Sequence, residues 1–219
     1  MIRGTCMYLH GFLSGPGSFK AAGFSDRLRP LGYDFSTPDL NGSDLRKLTC
    51  ESQLEIIHQQ IGLSSGPVFL LGSSLGALLA LHAARQNASV KRLVLMAPAL
   101  RPTGWVNTGA EFLTEWEKKG VARFFHYGYE RDVEVGYGLV ESLKRHAWPA
   151  DQPVPRPTLV LHGLRDQTVP WQESLSLLGP DRDARLMLFE SDHSLGSCLG
   201  ELIAHSLAFL SSDANVAQY

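Results

Sequence analysis

The chain has 219 residues, of which 44% are hydrophobic and 19% charged, and its formal net charge at pH 7 is −2. This length and composition suit one α/β domain with a sizeable core, and they exclude a globally disordered chain. Nucleic-acid-binding domains normally carry a basic stripe, so the near-neutral balance argues against a nucleic-acid partner.

The cysteines and the apolar segments bear on the cellular compartment. Cys6, Cys50 and Cys198 are few, odd in number and widely spaced, which favours free thiols in a reducing compartment. No basic-then-apolar leader precedes the first strand-like segment, and no apolar run approaches the ~18 residues of a membrane span. We therefore expect a cytoplasmic protein with no membrane span. The sequence leaves its oligomeric state open.

Six short apolar runs, bounded mainly by Gly, Pro or Asp, recur along the chain. Most of them lack the alternation typical of a half-exposed strand, so they predict strands that are buried on both faces of a parallel sheet. The predicted strands are Thr5–Leu9, Tyr33–Thr37, Val68–Leu71, Leu93–Met96, Thr158–Leu161 and Leu186–Phe189.

Segments with helical spacing of apolar residues lie between and after these strands. Ser52 and Glu55 fit a capping box at the start of the first one. The alternation of strand and helix predicts an α/β fold, with a mostly parallel sheet of about six or seven strands and helices on both faces. The predicted helices are Ser52–Ile61, Leu75–Arg85, Glu111–Lys119 and Leu199–Leu210.

Residues 101–148 interrupt this rhythm and are rich in aromatic side chains. So many aromatic groups must bury against each other, against the core or against an apolar ligand. We therefore divide the chain into an α/β core over residues 1–100 and 149–212, a small lid-like insertion over residues 101–148 and a flexible tail over residues 213–219. The aromatic residues of the insertion are Trp105, Phe112, Trp116, Phe124, Phe125, Tyr127, Tyr129, Tyr137 and Trp148.

The segment Gly72-Ser73-Ser74-Leu75-Gly76 carries the strongest chemical signal. It follows a predicted strand and precedes an apolar helix, which is the context that a nucleophile elbow requires. The flanking glycines let strand and helix approach closely, so that the hydroxyl of the central serine stands clear of the sheet. We therefore predict Ser74 as the catalytic nucleophile. The alternative is a tight turn whose serines only cap the helix.

A serine nucleophile needs a base, and the base needs an orienting carboxylate. His193 follows the last predicted strand in a polar loop, and Asp166 follows the strand before it. The carboxyl ends of parallel strands share one edge of the sheet, where sites of α/β proteins lie. We predict His193 as the base and Asp166 as the carboxylate. Asp192 is the rival carboxylate, but a neighbouring residue rarely curls back to bond the ring.

The oxyanion hole of such a site needs two backbone N–H donors. Leu75, directly after the nucleophile, is expected to supply one of them. The loop after the first strand, with Gly11 as its flexible residue, is expected to supply the other from Phe12, with Leu13 as the alternative. For substrate binding we predict Leu13 and Trp105, the latter because it lies soon after a strand end.

Together these motifs resemble the α/β-hydrolase superfamily over about residues 5 to 210. The segments from Tyr8 to Ala21 and from Gly72 to Ala77 look more narrowly like the small bacterial YqiA/YcfP-type esterases, whereas residues 101–148 depart from that pattern. The resemblance implies the α/β-hydrolase fold and hydrolysis of carboxylic esters or thioesters, with a small acyl ester or thioester as substrate. It implies neither a metal nor an organic cofactor.

Two other functions remain open at this point. The same triad serves acyltransferases and enzymes that hydrolyse C–C bonds, and the sequence does not separate these reactions. A non-catalytic binding protein on a hydrolase scaffold is the second alternative, and the intact set of serine, histidine and aspartate speaks against it.

Overall fold

The structure is a computed structural model that describes residues 3–102, 110–180 and 182–212. Strands and helices alternate along most of this part of the chain. The strands are β1 (Thr5–Leu9), β2 (Asp34–Ser36), β3 (Val68–Ser73), β4 (Val90–Met96), β5 (Val121–His126), β6 (Arg131–Gly136), β7 (Thr158–Gly163) and β8 (Ala184–Phe189). The helices are α1 (Phe19–Leu28), α2 (Cys50–Gly62), α3 (Leu75–Gln86), α4 (Ala110–Lys119), α5 (Gly138–Arg145) and α6 (Leu199–Ser211).

The central sheet places the chain segments that follow its strands at one edge. Its strand order is β2-β1-β3-β4-β7-β8, and every neighbouring pair is parallel. The carboxyl ends of these strands therefore point to the same side of the molecule. The predicted α/β fold with a parallel sheet is confirmed, and each predicted strand overlaps an observed one.

Apolar residues on the two faces of the sheet pack into two separate cores. Leu70 and Leu95 belong to the core that also contains residues of α2, α3 and α5. Leu71 and Val94, their neighbours in sequence, belong to the core that contains residues of α1 and α6. Successive side chains of a strand point to opposite faces, so strands covered by helices on both sides become apolar throughout. The apolar runs of the sequence have this cause.

Two helix starts differ from the sequence prediction. Helix α2 is capped by Thr49, whose side chain accepts from the Ser52 N–H at 3.1 Å, while Ser52 returns the bond to the Thr49 N–H at 3.0 Å. The capping box is therefore Thr49 with Ser52, and not Ser52 with Glu55, because Thr49 has the extended backbone that an N-cap needs. Helix α1, which the sequence analysis did not predict, is capped by Ser18.

The insertion contains more regular structure than the single predicted helix. Strands β5 and β6 pair antiparallel as a hairpin between α4 and α5. Trp116 of α4 is 3% exposed and donates its indole N–H to the Val135 carbonyl at 2.9 Å, and both residues belong to the core that contains α2 and α3. The described part of the insertion thus shares a core with the sheet. In the described residues, no helix is both long and apolar enough to cross a membrane.

Candidate active site

Ser74 occupies a strained turn between β3 and α3. Its backbone angles are φ 55° and ψ −117°, a conformation that side chains larger than glycine rarely adopt. A Cβ added to Gly72 would lie 2.5 Å from the Ala77 Cα, and one added to Gly76 would collide with the Leu9 carbonyl. Only glycine fits at these two positions, which explains the spacing of the segment predicted as a nucleophile elbow.

The loop after β1, residues 10–15, runs alongside Ser74. A Cβ added to Gly11 would lie 3.3 Å from the Ser74 Cβ and 3.9 Å from its Oγ. Leu75 is the first residue of α3, where backbone N–H groups have no partner within the helix and the helix dipole favours negative charge. The two chain segments predicted to form an oxyanion hole therefore meet at the Ser74 side chain.

The hairpin of the insertion packs against the loop that contains Phe12 and Leu13. The Leu13 carbonyl accepts from the Tyr127 N–H at 2.9 Å. The Phe12 ring meets the Phe124 ring edge to face, with centroids 5.5 Å apart. Leu13 has φ 57°, a left-handed conformation that is costly for leucine. Contacts from the hairpin thus hold this loop in its shape, a relation that no short motif indicates.

His10 lies beneath the same loop and is 2% exposed. Its Nε2 accepts from the Leu40 N–H at 3.0 Å, and its Nδ1 donates to the Gly11 carbonyl at 3.0 Å. Both ring nitrogens therefore form hydrogen bonds to backbone groups and hold the segments around them in place. Asn41 adds a bond from its amide nitrogen to the Ser14 carbonyl at 2.9 Å.

Asp166 and His193 form a direct hydrogen bond. His193 Nδ1 lies 2.7 Å from Asp166 Oδ2, and the Asp166 side chain is fully buried whereas that of His193 is 28% exposed. The other carboxylate oxygen accepts from the N–H groups of Thr168 and Val169, each at 2.8 Å. A carboxylate only accepts, so Nδ1 of His193 is the donor, and the lone pair of the neutral ring sits on Nε2.

His162 is a second partner of Asp166, and the sequence analysis gave it no role. It is fully buried, with Nε2 3.0 Å from Asp166 Oδ2 and Nδ1 2.8 Å from the Ser174 hydroxyl. Burial alone would raise the pKa of Asp166, but hydrogen bonds from His162 and His193 outweigh it and hold that pKa below its usual range. One feature of the sequence could have indicated this contact: His162 lies near the end of β7, four residues before Asp166.

Backbone hydrogen bonds join the carboxyl ends of neighbouring strands, including the residues directly after those strands. The Ser74 N–H donates to Met96, the Ala97 N–H to Leu161 and the Leu164 N–H to Phe189, each at 2.8 Å. This row runs across β3, β4, β7 and β8, which are neighbours in that order. The segments that carry Ser74, Asp166 and His193 therefore all leave the sheet at its carboxyl edge, after β3, β7 and β8.

The remaining predicted residues have different outcomes. Asp192 bonds within its own loop, where its Oδ1 accepts from the Ser194 N–H at 3.0 Å and from the Ser194 hydroxyl at 2.6 Å. The carboxylate that contacts His193 is Asp166. Trp105 lies outside the described residues. Among the residues that the structure describes, no group of three or more His, Cys, Asp or Glu side chains is placed to hold a metal ion.

Comparison with known proteins agrees with this fold. The mitochondrial palmitoyl-protein thioesterase ABHD10 of mouse is 29% identical over 208 residues, which cover 86% of this chain and 68% of the mouse protein. The solved structure of the mouse alpha/beta hydrolase domain-containing protein 10 matches with a TM-score of 0.76 at 26% identity, covering 94% of this chain and 89% of that one. Our expectation of a cytoplasmic location stays a prediction, since the mouse relative is mitochondrial.

A more distant structure shares the fold alone. Est1E from Butyrivibrio proteoclasticus matches with a TM-score of 0.69 at 17% identity, covering 94% of this chain and 88% of that one. These likenesses confirm the α/β-hydrolase fold that the motifs implied. Residues 5–211 match the uncharacterised protein family UPF0227. The chain therefore belongs to the UPF0227 family and is an enzyme of the α/β-hydrolase superfamily.

Proposed function

We propose that the protein hydrolyses carboxylic esters or thioesters through an acyl-enzyme on Ser74. His193 is the general base and acid, and Asp166 orients its ring. The observation that carries the proposal is the 2.7 Å hydrogen bond between Asp166 and His193, at the sheet edge that also holds the strained Ser74 turn. In nucleophilic catalysis by serine, a carboxylate orients the histidine base, and this hydrogen bond supports that role for Asp166 and His193.

The first half of the reaction forms the acyl-enzyme. Nε2 of His193 takes the hydroxyl proton of Ser74 while Oγ attacks the acyl carbon. The carbonyl oxygen becomes an oxyanion, which accepts hydrogen bonds from the N–H groups of Phe12 and Leu75. When the tetrahedral intermediate collapses, the bond to the leaving oxygen or sulfur breaks, and His193 returns the proton to that leaving group.

The second half repeats these steps with water. His193 removes a proton from water, the hydroxide attacks the acyl carbon, and the bond to Ser74 Oγ breaks as His193 protonates it. Asp166 stays ionised throughout, because its pKa lies below the usual range. Its negative charge stabilises the imidazolium that forms in each half-reaction.

Thioesters are the first substrates to try. The mouse relative, 29% identical, is named a palmitoyl-protein thioesterase. A thiolate is a better leaving group than an alkoxide, so the same triad handles both classes without any further group. Ester hydrolysis is the matched alternative on the same residues.

One panel of substrates tests the proposal. Nitrophenyl esters and acyl thioesters of several chain lengths are incubated with the wild-type protein and with Ser74→Ala, with and without an alcohol acceptor. We expect release of free carboxylic acid that depends on Ser74. A transesterified product in place of the acid would indicate an acyltransferase, and no turnover of any acyl substrate would contradict the proposal.

A further inference from the structure

Lys20 is a buried charged residue that the proposed reaction does not use. It is the second residue of α1 and only 8% exposed. Its ammonium group donates to the Ser194 carbonyl at 2.7 Å. Ser194 directly follows His193, so this bond joins α1 to the segment of residues 190–198, which we call the histidine loop.

The histidine loop needs such support, because its backbone is not in a relaxed conformation. Leu195 has φ 57°, in the left-handed region that leucine rarely adopts. Within the loop, Asp192 accepts from the Ser194 N–H, and the Leu195 N–H donates to the Asp192 carbonyl at 3.2 Å. Lys20 holds the same turn from outside the loop, through the carbonyl of Ser194.

The environment of the ammonium group is charged as well as buried. Burial lowers the pKa of Lys20 to about 8, against the opposing effects of Asp192, Asp166 and Cys198. Removing an ammonium from water costs free energy unless hydrogen bonds and opposite charges compensate it. An apolar side chain such as methionine would avoid that desolvation cost, so packing alone does not account for the ammonium group.

We infer that Lys20 is a positioning residue for His193: its ammonium group fixes the histidine loop through its hydrogen bond to the Ser194 carbonyl. The inference rests on the proposed function, because it assigns Lys20 a role through the base of that reaction. Lys20 also lies in the first turn of the helix that follows the loop of Gly11 and Phe12. One side chain thus connects the oxyanion side of the site to its histidine side.

The test uses three variants of the full chain and nitrophenyl esters at neutral pH. Lys20→Met removes the hydrogen bond and the charge, and Lys20→Arg keeps both. Lys91→Met is the matched control, because Lys91 also donates to a backbone carbonyl, that of Ala88 at 2.8 Å, but lies exposed on β4. Melting temperature and the fraction of fluorophosphonate-labelled protein are measured in parallel.

Lys20→Met is expected to lower kcat by about 10- to 100-fold with KM changed less than about twofold, as misplacement of a catalytic group does. Lys20→Arg restores most of kcat, and Lys91→Met behaves as wild type.

Three results would overturn the inference. One is a Lys20→Met protein with wild-type kcat. Another is a loss of kcat that only follows the loss of folded, labelled protein. If Lys20→Met does not fold, Lys20→Gln takes its place, and a wild-type kcat in that variant would be the third. Ser74→Ala separates this from failure of the proposed function: full activity in that variant would refute the function itself.

Discussion

The carboxyl edge of the sheet and the insertion are built from different kinds of contact. At the edge, polar groups a few ångströms apart fix one another, as in the hydrogen bonds that Asp166 receives from His162 and His193. In the insertion, aromatic rings pack edge to face, as Phe124 does with Trp116 at 5.0 Å and with Phe12 at 5.5 Å.

This difference shows how each region affects the reaction. In the proposed reaction, groups at the edge move protons and charge, so a change of a single atom there would alter the chemistry itself. Aromatic groups of the insertion would act through shape, since the Phe124 ring contacts Phe12 of the loop that lies beside Ser74. Changes at the edge should therefore cost several orders of magnitude in rate, and changes in the insertion much less.

The largest effect is expected for Ser74→Ala, because no other group replaces the attacking oxygen. Loss of the nucleophile of the subtilisin triad costs roughly 10⁶-fold in kcat. We expect a comparable loss in ester hydrolysis with an unchanged melting temperature. A variant that keeps more than about a tenth of the wild-type rate would refute the role of Ser74.

Asp166→Asn comes next, with an expected loss of about 10³- to 10⁴-fold, the scale known from the equivalent change in trypsin. The amide keeps the size of the side chain but offers an N–H where the carboxylate accepted, which favours the wrong tautomer of His193. Steady-state kinetics of the purified variant measure this. A loss below tenfold would mean that another residue is the carboxylate partner of His193. Asp192→Asn is the control.

A smaller effect is expected from pH. A general base must be neutral to take up a proton, so kcat/KM on a neutral ester should rise between pH 5 and 8. The low pKa of Asp166 keeps that carboxylate ionised over this range, and it loses its stabilising effect only as the pH falls through its folded pKa. A profile that is flat from pH 5 to 9 would count against His193 as the base.

The smallest effect on the rate is expected in the insertion. Two adjacent phenylalanines of β5 can be compared there, one packed inward and the other exposed. Phe124 packs inward against Phe12, whereas Phe125 is 50% exposed. Phe124→Ala should lower kcat by about tenfold through misplacement of the loop that contains Phe12. Phe125→Ala should stay within about twofold of wild type. Equal losses in both variants, measured with the same nitrophenyl ester, would contradict the link between the insertion and the loop.

The sequence predicted the edge better than the insertion, and the reason is physical. The turn at Ser74 requires glycine at positions 72 and 76, so its geometry is encoded in a short segment. Parallel strands that are buried on both faces leave equally plain apolar runs. The hairpin β5–β6 leaves no comparable pattern, because its strands are only partly buried and its partners are distant in sequence. Lys20 and His162 were missed for the same reason: their partners are set by the tertiary fold.

Labelling with a fluorophosphonate probe, followed by mass spectrometry of the intact and digested protein, tests the central claim most directly. The claim is that the edge of the sheet activates the hydroxyl of Ser74 and of no other serine. We predict one adduct per chain, located on Ser74, with no adduct in Ser74→Ala and slow labelling in Asp166→Asn. An adduct on another residue, or labelling that persists in Ser74→Ala, would contradict this claim.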